Sequence, residues 1–130
     1  MRRPRFILLV FLAAFATGIA ILLFLGRQDG AKIRVRYGEM TVALSSKDTN
    51  AILTLIAPQY RQEFDDLRLI RMESFAKPLG QGSKIVIVGN AATVWPGPNR
   101  YLCGVWPVGD TIEMSKVGGI WFFTGKVHLD

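Results

Sequence analysis

From Phe6 to Gly26 the chain carries no charge and a single hydroxyl, Thr17, in the stretch FILLVFLAAFATGIAILLFLG. As a helix rising about 1.5 Å per residue, this run reaches about 30 Å, the thickness of a bilayer's hydrocarbon core. The spacing predicts a membrane-spanning helix over residues 6–26, after a basic flank over 1–5. A cleaved signal peptide is the competing reading, because Arg2, Arg3 and Arg5 form a basic start and AFA at 14–16 mimics a small-residue cleavage site. Cleavage after Ala16 would leave TGIAILLFLG exposed on the mature chain, which favours an uncleaved signal anchor. The basic start argues for a cytoplasmic N-terminus and an extracytoplasmic C-terminal domain. Arg27, Lys32, Arg34 and Arg36 follow the run and weaken that asymmetry.

The same anchor accounts for half of the charge. The formal net charge of the 130 residues is +6, but from Ala31 onward twelve Lys/Arg stand against nine Asp/Glu, a net of +3. The remainder belongs to the flanks of the apolar run, so the bulk charge gives no reason to expect a nucleic-acid partner. Cys103 is the only cysteine, which excludes an intrachain disulfide and a zinc site built from several cysteines. Within YLCGVW it reads as a small buried apolar residue.

Residues 27–32 read as a linker around Gly30, and residues 33–130 as one domain. In its first part, Ile33, Tyr37, Met40 and Leu44 fall at spacings of four, three and four, the stripe of a helix. In SSKDTNAILTLIAPQY, Ser46 or Asp48 caps a second helix, Ile52, Leu55 and Ile56 share a face, and Pro58 ends it. A third helix is expected in DDLRLIRMESFAKPLG, with Leu69, Met72, Ala76 and Leu79 as its stripe, Phe75 broadening it, and Pro78 and Gly80 as its stop. After Gly82 the texture is that of strands. KIVIV, Gly89-Asn90 and AATVW form a hairpin signal. YLCGVWPV, TIEMSKV and IWFFTGKVHL follow as one strand each, with turns at Gly109-Asp110 and Gly118-Gly119.

Helices first and an antiparallel meander afterwards predict an α+β domain: two or three helices packed on a curved antiparallel sheet of about four strands, behind an N-terminal transmembrane helix. DTNAILTLIAPQYRQEF, SKIVIVGNAATVWP and TIEMSKVGGIWFFTGKVHLD, in this order, resemble the cone-shaped nuclear-transport-factor-2-like superfamily. That resemblance rests on element order and texture over residues 33–130. It implies a concave pocket between helix and sheet, and dimerisation through the sheet. Isomerases and cyclases of that superfamily use an Asp or His base with a Tyr or Asp partner in the cone. None of their motifs matches here residue by residue, so no catalytic residue is assigned.

Candidate chemistry is sparse. His128, the only histidine, is the catalytic suspect by residue type but shares a strand face with Ile120, Phe122, Thr124 and Lys126 close to the end of the chain, where a sheet-surface role is expected. Glu63, Asp65 and Asp66 read as caps and solvated charges rather than as a metal site. GQGSK at 80–84 lacks the spacer and the Lys-Ser/Thr pair of a phosphate loop and precedes a strand, so it reads as a turn. No cofactor or metal is expected. Tyr37, Met40, Trp106, Trp121 and Phe123 are the candidate lining of a ligand pocket, with ordinary core as their competing role. Trp121 and Phe123 alternate with Ile120 and Phe122, so both faces of the last strand are apolar. One face is expected on the helices and the other against a second copy or a membrane-protein partner. The leading expectation is a non-enzymatic anchored domain acting in protein interaction or envelope assembly. Binding of a lipid or small apolar ligand in the cone is the alternative, and an isomerase-like enzyme the third.

Overall fold

The computed structural model describes residues 3–97 and 100–129, and the chain divides into two compact units, Met1–Ala31 and Lys32–Asp130. Helix α1 spans Arg3–Ser46 and so contributes to both. In the first unit its apolar side chains are exposed on every side. A helix with no polar face is at home in lipid rather than at the surface of a soluble domain. Among the described residues, α1 is the one helix long and apolar enough to cross a membrane. Its single hydroxyl is compatible with that setting, because Thr17 Oγ1 donates to the Ala13 carbonyl at 2.8 Å within the helix.

Residues 27–32, which read as a linker, are helical. Glycine in a helix costs only about 1 kcal/mol relative to alanine, and Gly30 has strong helix formers such as Ala31 and Lys32 beside it. The shift in composition at Arg27 therefore coincides with no break in the helical backbone.

The second unit is α+β. From Lys32 onward, α1 buries Ile33, Tyr37, Met40, Ala43 and Leu44 and leaves Val35 and Val42 in solvent. Helix α2, Thr49–Leu55, begins at Asp48, whose carboxylate accepts from the Ala51 N–H at 3.2 Å. Its end sets up a contact with the sheet. Ile56 turns extended and bridges to Phe123, and the Ala57 N–H donates to the Phe123 carbonyl at 2.8 Å. Helix α3, Asp66–Glu73, is capped by Asp65, which accepts from the Arg68 N–H at 2.9 Å. It is shorter than the sequence stripe suggested. The Phe75 and Ala76 N–H groups close three-residue turns onto the Met72 and Glu73 carbonyls at 2.9 and 3.1 Å, and Pro78 disfavours helical backbone at Lys77. Phe75, Ala76 and Leu79 thus reach the core from irregular chain.

Six strands follow: β1 Lys84–Val88, β2 Ala91–Trp95, β3 Arg100–Leu102, β4 Trp106–Val108, β5 Thr111–Val117 and β6 Ile120–His128. Strands β1, β2, β5 and β6 form one antiparallel sheet in the order β1-β2-β5-β6. The Gly89-Asn90 and Gly118-Gly119 turns close the β1–β2 and β5–β6 hairpins, as their residues predict. YLCGVWPV, by contrast, is not one strand. The chain reverses at Cys103 and Gly104, with φ of 53° and 72°, so that β3 and β4 form a separate two-stranded ribbon.

In the main sheet Ile85, Ile87, Ala92, Val94, Ile112, Met114, Trp121 and Phe123 point to the helices, where they meet Ile33, Tyr37, Met40, Leu44, Ile52, Ile56, Met72 and Phe75. Strand β6 carries a bulge. Ile112 pairs with Val127 and Met114 with Phe123, so Thr124, Gly125 and Lys126 stand opposite Glu113 alone. Gly125 adopts φ 82°, and a side chain there would meet the Phe64 ring at 3.2 Å. Such bulges sharpen the local twist and bend a strand.

Candidate functional site

The structure separates the five candidate pocket residues. Tyr37, Met40, Trp121 and Phe123 lie together in the core, each 2% exposed or less, covered by the protein's own side chains. The Tyr37 and Phe123 rings are 6.3 Å apart between centroids and tilted at 57°, a favourable aromatic packing geometry. The Tyr37 hydroxyl donates to the Phe75 carbonyl at 3.3 Å, and burial pushes the phenol above its usual titration range. A tyrosine so placed is a neutral donor that ties α1 to the segment after α3. Trp106 is elsewhere. It sits on the β3–β4 ribbon, exposed.

A shallow depression on the domain surface is lined by Arg34, Tyr37, Gly38, Thr41, Val42, Pro78 and Leu79. Its hydroxyls are engaged internally: Thr41 Oγ1 donates to the Tyr37 carbonyl at 2.9 Å. The Tyr37 hydroxyl is turned to Phe75. The arrangement offers packing and no paired acid and base.

The remaining candidates have structural roles. His128 is exposed on the outer face of the sheet, with Nε2 3.5 Å from Glu113 Oε1 on the neighbouring strand. Asp65 caps α3, and Glu63 lies 3.7 Å from Arg68 Nη1. Among the described residues no three His, Cys, Asp or Glu side chains gather in a way that could hold a metal ion. Residues 80–83 form a turn, with the Gly80 N–H on the Pro96 carbonyl at 2.8 Å and the Ser83 N–H on the Gly80 carbonyl at 3.2 Å. Cys103 is exposed rather than buried, because it occupies the reversal between β3 and β4.

Three features go beyond what the sequence signals, the third of them in part. Arg36, which resembled a membrane-flanking charge, is folded into the domain. Its Nε donates to the Trp121 carbonyl at 2.9 Å, its Nη1 pairs with Glu39 Oε2 at 3.0 Å, and its guanidinium lies 5.3 Å from the centroid of the Phe122 ring. Together with Ala57, it occupies outward carbonyls of β6 and so protects an edge strand from pairing with another chain. The β3–β4 ribbon exposes Leu102, Val105 and Trp106. The third is the outer face of the sheet, where Val86 and Val88 on β1 and Val117 and Ile120 beside the β5–β6 turn are exposed and Phe122 on β6 is partly buried. Only the apolar outer face of β6 was signalled in advance, by the alternation of Ile120 and Phe122 with Trp121 and Phe123.

Searches against protein-family models, curated proteins and solved structures find no match to this chain.

Proposed function

We propose that this chain is a single-pass, membrane-anchored domain that works by associating with protein through the outer face of its sheet, as a non-enzymatic component of an envelope assembly. The observation that carries this reading is the exposed apolar set on that face, where Val88 is 74% and Ile120 49% exposed beside Val86 and Val117. The face is built of paired strands, which hold these side chains in register. Such a surface suits a second copy of the chain or another membrane protein. The resemblance in element order to the nuclear-transport-factor-2-like superfamily, in which sheets dimerise, supports the same face.

The domain is extracytoplasmic in this reading. Arg2, Arg3 and Arg5 precede the apolar run, and Arg36, one of the charges that follow it, is committed to Trp121, Phe122 and Glu39. Arg27, Lys32 and Arg34 also follow the run, so the orientation rests on the signal-anchor pattern itself, a short basic start before one long apolar run.

The test is the assembly state of the full chain in native nanodiscs. Wild type is expected as a complex, and Val88→Lys with Ile120→Asp as a folded, isolated chain. A wild-type chain that is already alone overturns the reading.

A further inference from the structure

The β3–β4 ribbon has two unlike faces. Pairing sets Tyr101 opposite Pro107, Leu102 opposite Trp106 and Arg100 opposite Val108. Tyr101 and Pro107 belong to the face turned back on the domain: Pro107 is buried, and the Tyr101 hydroxyl donates to the Gly82 carbonyl at 2.5 Å. On the other face Leu102 is 63% and Trp106 66% exposed, and Val105, in the turn between them, is 72% exposed. A two-stranded ribbon gains little from its own hydrogen bonds in water, and burying its large side chains is what ordinarily stabilises it. Here Leu102 and Trp106 are directed outward.

We propose that this tip inserts into the interfacial region of the bilayer that holds the first unit. Three observations favour lipid over a protein groove. From Tyr101 to Gly109 the sequence has no charge, and its tip combines a tryptophan with aliphatic residues, the composition that settles at a membrane interface. The order along the ribbon is graded, with Val105 and the Leu102–Trp106 pair at the turn, Val108 further back, and Arg100 and Asp110 as the first charged positions at the base. Finally, the apolar run ends at Gly26 and the second unit begins at Lys32. A bilayer holding the first therefore stays at high effective concentration for the second. A convex, uncharged wedge needs no matching pocket in a soft surface. The proposal rests on the reading of residues 6–26 as a bilayer span.

Cys103 lies at this tip and is the only cysteine, so the native chain can be labelled there without substitution. The full chain is reconstituted in vesicles of phosphatidylcholine with a minor share of phosphatidylglycerol, and a nitroxide on Cys103 reports collisions with oxygen and with a water-soluble nickel chelate. A label on exposed Thr49, as Thr49→Cys in a Cys103→Ser chain, serves as the aqueous reference. The expected result is loss of chelate access at Cys103 with oxygen access retained, and its return in the Leu102→Ser, Val105→Ser, Trp106→Ser chain. If the chain floats with the vesicles but Cys103 is as open to the chelate as Thr49, the tip proposal fails and the span reading stands. Failure to float removes both. Dipolar broadening between Cys103 labels that disappears on dilution with unlabelled chain assigns the tip to a second copy and overturns the proposal.

Discussion

Trp121 and His128 share β6, seven positions apart, and show how differently two conspicuous residues can matter. Trp121 is buried against the helices, and its removal leaves a void that neighbours fill only in part. Trp121→Ala is expected to destabilise the domain by about 3–5 kcal/mol, a large share of the roughly 5–15 kcal/mol that holds a domain together. His128→Ala is expected to change stability by less than about 0.5 kcal/mol, since its contact with Glu113 is solvent-exposed. Urea denaturation of the two variants checks both figures. Tyr37 makes a pH-dependent prediction. Burial raises its pKa in the folded domain, so the folded state keeps a proton that the unfolded chain releases near its ordinary value of about 10. The stability from this source is complete below roughly pH 10 and is lost as the pH rises beyond it. Tyr37→Phe is expected to cost about 1 kcal/mol at neutral pH, through the Phe75 carbonyl left without its donor, and to flatten the alkaline fall in melting temperature. The alternation around Trp121 and Phe123 made their burial legible in the sequence. The partner of the Tyr37 hydroxyl was not, because Phe75 lies 38 positions away and its carbonyl is freed only where α3 ends.

Elements with a strong local signal were read correctly, and those decided by distant contacts were not. The stripe of α1, the Asp48 cap of α2 and the Gly89-Asn90 turn each depend on neighbouring residues, and each occurs in the fold. The continuation of α3 to Leu79 failed because Pro78 and the turns after Met72 outweigh an apolar stripe that the core can satisfy from irregular chain. The reading of YLCGVWPV as one strand failed for another reason: Cys103 adopts a left-handed backbone that its residue type does not advertise. The bulge in β6 was likewise hidden, since Gly125 reads as a weak strand residue until Phe64 is seen packed over it. Gly125→Ala tests that bulge. It combines a left-handed φ costing about 1–2 kcal/mol with a contact that displaces the Phe64 ring, and the expected outcome is a domain less stable by at least that amount. If thermal unfolding shows no change, the bulge is more adaptable than described.

At the scale of the whole molecule, the plan of one apolar helix followed by an α+β domain was legible because it depends on composition and period alone. The candidate site was much less so. The sequence offered Tyr37, Met40, Trp106, Trp121 and Phe123 either as a pocket lining or as ordinary core, and the fold buries four of them together and puts Trp106 on a ribbon apart. Which face a strand shows to solvent follows from period two. Which exposed faces coincide across strands follows only from register, and register brings Val86, Val88, Val117 and Ile120 onto one side. The central claim is that this side meets another protein in the membrane. Site-specific photocrosslinking in native membranes tests it most directly, with the photoreactive residue at Val88 or Ile120 and, for comparison, at Val42, exposed on α1. The account predicts a discrete adduct from Val88 and Ile120 and none from Val42. A chain that stays uncrosslinked at both sheet positions, or reacts equally at all three, contradicts it.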